Sequence, residues 1–195
     1  VVVYFADGWF TPATRVMLTL DYAGLDAALL DGGMDAWKRA GHTVTADVTA
    51  ERAGTLSALK LRPVVVDAGE VQTRLGKPGV AVVDARTSDF YNGTRTGGRP
   101  GAEHKTGHIT GARSVPFNTL VNDDNSVKPA AELRAIFDAA GVKPGDTVIA
   151  YCHIGQQATG VIFAARLLGH TVALYDGSFE DWSRRNLPVE ASKPR

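Results

Sequence analysis

Along the chain, short apolar runs alternate with stretches in which apolar residues recur at helical spacing. Val1 to Tyr4, Ala27 to Leu30, Val65 to Asp67, Ala81 to Asp84, Thr147 to Tyr151 and Val172 to Tyr175 read as buried strands, and Ser114 to Pro116 begins another extended segment. Ala68 to Leu75 reads as a short helix. Ala130 to Ala140 reads as an amphipathic helix with Leu133, Ile136 and Phe137 inward, stopped by Gly141 and Pro144. Further helical stretches follow the first and fifth of these strands, and helices bearing Trp37 and Trp182 follow two Asp-Gly pairs. Apolar strands alternating with helices predict an α/β fold with a parallel sheet covered by helices.

The pattern repeats. Ala13 to Val44 matches Ala158 to Val189 at a constant offset of 145 residues, with Gly24 on Gly169, Asp31-Gly32 on Asp176-Gly177 and Trp37 on Trp182. Upstream the offset is 147, with Tyr4 on Tyr151, so a two-residue difference lies in the loop before Ala13. The segment before the second copy has no counterpart before Val1. A domain of this class needs on the order of 100 residues to bury a core, so residues 1–48 are expected to be the C-terminal half of a first domain. They would pack on the complete domain at 62–195, or on a complementing N-terminal fragment, with 49–61 as linker. Trp37 and Trp182, repeated at one position, are expected to anchor the core of each copy.

Composition narrows the function classes. A 44% hydrophobic and 22% charged chain is ordinary for a globular protein, and 21 basic against 21 acidic residues leave no net field to attract nucleic acid or an anionic membrane. No apolar run approaches the roughly 18 to 20 residues that span a bilayer. The expected partners are small molecules. A single cysteine fits a reducing compartment, which favours the cytoplasm, and a periplasmic location stays open.

That cysteine carries the candidate chemistry. Cys152 follows the strand Thr147 to Tyr151 and precedes a loop, His153-Ile154-Gly155-Gln156-Gln157, that runs into a helix from about Ala158. At the C-terminal end of a parallel strand, a thiol facing a helix N-terminus meets unsatisfied N–H groups and the positive end of the helix dipole, and both favour a thiolate. If the loop curls its N–H groups inward, it forms a nest for a thiolate, a persulfide or an oxyanion. The competing reading is a small buried hydrophobe, the commonest fate of a free cysteine.

Four motifs occur in order: Val83-Asp84-Ala85-Arg86, Gly107-His108-Ile109-Thr110-Gly111-Ala112, Tyr151 to Gln157, and Tyr175-Asp176-Gly177-Ser178 with Trp182. As an ordered set they resemble the rhodanese family, which includes thiosulfate and 3-mercaptopyruvate sulfurtransferases. The resemblance implies a central five-stranded parallel sheet flanked by helices, usually paired in tandem with an inactive first domain. It implies that Cys152 takes a sulfane sulfur as a persulfide and passes it to a thiol or cyanide, with no cofactor. In the first copy Phe5 holds the place of the nucleophile, and the longer loop carries Asp7, which would repel an anion; that half reads as structural.

Asp84 and Arg86 are expected to brace the domain, and His108 to be a hydrogen-bonded turn residue. His104 with Glu103 is poor metal evidence, and no metal is expected. His153, protonated, would help to bind an anionic donor, or else face solvent as a plain loop side chain. Ile154 stands where thiosulfate-preferring tandem enzymes have lysine. Phe90 stands where they carry a substrate-binding arginine, and Arg95 and Arg99 in the nearby Gly-rich stretch are candidate replacements. A phosphatase of related fold needs an arginine six positions after the cysteine, where this chain has Ala158. The remaining alternative is a non-catalytic persulfide carrier that receives sulfur from a protein partner.

Overall fold

The computed structural model describes residues 1–6, 8–48, 50, 53–56 and 58–191. Asp7, part of the expected linker, and the end of the expected second domain at 192–195 lie outside the described residues. The elements run β1 (Val2–Val3), α1 (Thr11–Tyr22), β2 (Ala28–Leu29), α2 (Gly33–Arg39), β3 (Val65–Val66), α3 (Ala68–Arg74), β4 (Val80–Asp84), α4 (Ser88–Asn92), β5 (Gly98–Arg99), β6 (Ala102–Glu103), β7 (His108–Ile109), β8 (Arg113–Ser114), α5 (Ala130–Ala139), β9 (Thr147–Tyr151), α6 (Ala158–Leu167), β10 (Val172–Tyr175), α7 (Ser178–Arg184) and β11 (Val189–Glu190). Among the described residues no helix is long and apolar enough to cross a membrane.

Five strands make one parallel sheet in the order β3-β10-β9-β4-β8. β9 is central, with Val80 to Asp84 of β4 in register against Thr147 to Tyr151. Because successive side chains point to opposite faces, β9 feeds two cores. Val148, Ala150 and Cys152 join Leu133 and Phe137 of α5 and Val161 of α6 on one face. Ile149 and Tyr151 join Val71 of α3 and Phe179 and Trp182 of α7 on the other. Burial on both faces explains the unbroken apolar runs of β9 and β10. α3 starts on a capping box, in which the Asp67 carboxylate accepts from the Glu70 amide and the Glu70 carboxylate accepts from the Asp67 amide.

Residues 1–48 add β1, α1, β2 and α2 in the order in which β9, α6, β10 and α7 occur, and β1 pairs with β2 in a separate parallel sheet. α1 packs on α6, burying Phe10, Ala13 and Leu18 in the core that holds Cys152. Equivalent bonds mark the repeat: the Trp37 indole donates to Thr43 O at 2.9 Å, and the Trp182 indole to Pro188 O at 2.8 Å. Trp182 is 1% exposed and anchors the core as expected, but Trp37 is 38% exposed. It does not match Trp182 as an anchor, because among the described residues β1 and β2 pair only with each other. His108, expected in a turn, instead lies in β7, paired antiparallel with β11. α4, the β5–β6 hairpin and the β7–β11 pair were not anticipated; each is too short to leave a periodic signature.

Candidate active site

Cys152 sits immediately beyond the C-terminal end of the central strand and is 1% exposed. Its backbone N–H donates to Ser178 Oγ at 3.1 Å, and Ser178 Oγ in turn donates to Tyr175 O at 2.9 Å. Ser178 opens α7 with φ of 53°, a left-handed conformation that a non-glycine residue rarely adopts. The equivalent residue of the first repeat is Gly33, with φ of 59°, where an added Cβ would lie 2.9 Å from the Phe5 ring. The small cysteine, in place of phenylalanine, makes room for the serine. The equivalence of Phe5 and Cys152 is kept in the backbone: Met34 N donates to Phe5 O at 2.9 Å and Phe179 N to Cys152 O at 3.0 Å. The sequence signal for Ser178 is a serine at the position where the matching stretch has Gly33.

The loop after Cys152 has a one-sided hydrogen-bond pattern. Most of its carbonyls are engaged. Cys152 O and His153 O accept from Phe179 N and Glu180 N, Gly155 O accepts from Arg15 Nη1 at 3.3 Å, and Gln156 O accepts from Thr159 N and Thr159 Oγ1. The N–H groups of His153, Ile154, Gly155, Gln156, Gln157 and Ala158 meet no acceptor among the described residues. Open amides at the start of α6 are the donors that an anion-receiving nest requires. Gly155 permits the curl: φ is 88°, and an added Cβ would come within 2.5 Å of Asp176 Oδ1. Gln157 Oε1 is buried with no hydrogen-bond partner among the described residues.

Beside the loop lies a hollow of about 440 Å³ whose walls include His153, Ile154, Phe90, Arg95, Arg99 and His104, though not Cys152 itself. The structure therefore brings both candidate arginines to the loop. Arg95 is partly engaged, 3.5 Å from Asp89 Oδ2 and over the Phe90 ring at 4.7 Å. Arg99 lies on β5, exposed and without an ion-pair partner among the described residues. Ile154 is 61% exposed at the rim. His153 packs edge-on against Phe90 at 4.5 Å and lies 5.7 Å from the His104 ring. Burial, with the positive charge of Arg86 next, lowers the His153 pKa from 6.5 to about 4. That shift favours the neutral ring over the imidazolium expected to meet an anionic donor. His104 is 8% exposed, its Nδ1 has no hydrogen-bond partner among the described residues, and burial lowers its pKa as well.

The remaining motif residues brace the site from below. Arg86 Nε and Nη2 grip the Asp84 carboxylate at 3.0 and 2.6 Å, Nη2 also donates to Gly107 O, and both side chains are buried. The guanidinium lies 3.9 Å over the Phe179 ring. Burial opposes its charge, and the hydrogen bond and charge of Asp84 overcome that opposition, so its pKa is raised. His108 stacks on Tyr91 at 3.7 Å, with Nδ1 2.7 Å from Tyr91 O and Nε2 3.3 Å from Glu190. Among the described residues no three His, Cys, Asp or Glu side chains converge to hold a metal ion.

Comparison with known proteins agrees with this architecture. Residues 67–185 match the family model described as rhodanese-like domain. A Pseudomonas aeruginosa protein named "Probable 3-mercaptopyruvate sulfurtransferase" is 34% identical over 93% of this chain and 64% of its own length. The thiosulfate sulfurtransferase of Rattus norvegicus is 32% identical over 96% of this chain and 64% of its own. The chain thus spans about 64% of the length of these relatives. Among solved structures, an anaerobic ergothioneine biosynthesis enzyme from Chlorobium limicola, bound to trimethyl histidine, superposes with a TM-score of 0.81. It is 24% identical, over 99% of this chain and 51% of that one, and shares the fold.

Proposed function

The chain belongs to the rhodanese-like domain family, and from that premise we propose that it is a sulfurtransferase that carries a sulfane sulfur on Cys152, with thiosulfate as the favoured donor. The observation that carries this reading is the row of open amides from His153 to Ala158 around the end of the strand that presents Cys152. In the first half-reaction the Cys152 thiolate attacks the outer sulfur of thiosulfate. The Cys152 S–S bond forms, the donor's S–S bond breaks, and sulfite leaves with the electron pair. In the second, cyanide or a thiolate attacks the outer sulfur of the persulfide, and the Cys152 thiolate departs. Negative charge stays at the loop in both halves, so the same amides stabilise the persulfide and the thiolate. Arg99, with Arg95, supplies positive charge beside the loop for the anionic donor. Asp84, Arg86 and His108 hold the surrounding strands and touch no reacting atom.

Residues 1–48 are read as a silent copy, because Phe5 has no nucleophile to offer. Its apolar face, including Val2, Tyr4 and Trp37, is the surface that a complementing fragment would cover. The test is thiocyanate formation from thiosulfate and cyanide, run beside 3-mercaptopyruvate and a Cys152→Ala control. Turnover abolished in the control supports the transferase. A cysteine that takes up persulfide yet turns over with neither donor would replace it with the carrier reading.

A further inference from the structure

We infer that Arg15, in the first repeat, is a positioning residue for the Cys152 loop, holding the Gly155 carbonyl outward so that the loop amides stay turned toward the sulfur. The inference rests on the reading of Cys152 as the sulfur carrier. Arg15 lies on α1, outside the segment that carries every other site residue, and nothing in the site motifs points to it. A single nitrogen, Nη1, makes both of its contacts: 3.3 Å to Gly155 O and 2.5 Å to Asp176 Oδ1. Asp176 also lies against the α-carbon of Gly155, where an added Cβ would be 2.5 Å from Oδ1 and 3.1 Å from Arg15 Nη1. The loop apex is therefore clamped from outside by an ion pair that joins the two repeats.

Two further contacts extend the clamp into the start of α6. Thr159 Oγ1 lies 2.8 Å from Thr14 Oγ1, next to Arg15 in sequence, while also donating to Gln156 O. Gly160 lies against Phe10, whose Cζ would be 2.7 Å from an added Cβ. Loop carbonyls and helix start are thus both referenced to α1. The Arg15 and Asp176 side chains are 38% and 46% exposed, so their pairing adds little to stability, and its removal leaves the fold in place. Its effect is on the direction of one peptide group. Turning the Gly155 carbonyl inward would set a partial negative charge where the persulfide and the donor bring theirs.

The test uses the full chain as wild type, Arg15→Gln, Arg15→Lys and Asp176→Asn. Cys152 is alkylated at one pH with iodoacetate and with iodoacetamide. Both reagents consume the same thiolate, so the ratio of the two rates reads only how well the loop receives an anion. Loss of positioning in Arg15→Gln is expected to lower that ratio about tenfold. Arg15→Lys restores most of it, because one ammonium can replace the one nitrogen that makes both contacts. Asp176→Asn lowers it too, since the clamp loses its anchor. A charge acting only through space would make Asp176→Asn raise the ratio, and that result overturns the inference, as does an unchanged ratio in Arg15→Gln. If Arg15→Gln does not fold, Asp176→Asn decides by the sign of its effect. The readout needs no turnover, so failure of sulfur transfer in the wild type overturns the proposed function while this ratio still judges Arg15.

Discussion

Thr14 and Thr159 hold equivalent positions in the two repeats, 145 residues apart, and their buried hydroxyls meet at 2.8 Å. The pair sits where α1 crosses α6, so the repeat seen along the chain is also a packing relationship, each copy offering the same face to the other. Each hydroxyl has one proton, so one of the two donates across the pair while the other donates to backbone, Thr14 to Thr11 O or Thr159 to Gln156 O at the base of the cysteine loop. A double-mutant cycle of Thr14→Val and Thr159→Val, followed by urea unfolding, is expected to give a coupling of about 0.5–1.5 kcal/mol. Additive single mutants would mean that α1 and α6 do not meet in this register.

Gly155→Ala is expected to reduce sulfur transfer at least about tenfold and to cost about 1–3 kcal/mol of stability. The φ of 88° is strained for alanine, and the new methyl would press on Asp176. Steady-state turnover with a denaturation curve checks both effects, and wild-type values for both would contradict the loop geometry.

Breaking the Asp84–Arg86 pair strands a buried carboxylate. Arg86→Met is expected to destabilise the chain by about 3–5 kcal/mol, read as a fall in the urea midpoint. Arg86→Lys recovers little of this, because lysine cannot make the forked contact with Asp84 while reaching Gly107 O.

His153 gives a pH prediction with a definite sign. Its pKa in the folded chain, about 4, lies below the ordinary 6.5, so the unfolded chain binds more protons between these values. Stability from this group is full above pH 6.5 and falls as pH drops toward 4. His153→Asn is expected to flatten that part of the pH dependence of the urea midpoint, and NMR titration of the ring should show a midpoint near 4. A midpoint near 6.5 would restore the imidazolium reading.

For the arginines beside the loop, Arg99→Ala is expected to raise the KM for thiosulfate several-fold with kcat nearly unchanged. Arg95→Ala should have the smaller effect, since Arg95 already faces Asp89 and Phe90. Equal and negligible effects would remove both from the donor site.

The strands Thr147–Tyr151 and Val172–Tyr175 form with the bounds their apolar runs predict. Burial on both faces writes an unbroken hydrophobic pattern into a single stretch of chain, and the thiol at the end of one strand is equally local. The sequence by itself determined the α/β class and Cys152 at a strand-to-helix turn. Properties that depend on what faces a residue across space were left to the tertiary structure. The His153 pKa is lowered by burial against Phe90 and His104 and by the charge of Arg86, none of them a sequence neighbour. Trp37 is half open while Trp182 is buried, because among the described residues β1 and β2 pair only with each other whereas β10 lies in the five-stranded sheet. Arg15 reaches Gly155 from 140 residues away through the crossing of α1 and α6. Local pattern encodes the elements and the reactive atom; charge state, burial and loop direction follow from neighbours that only folding brings together.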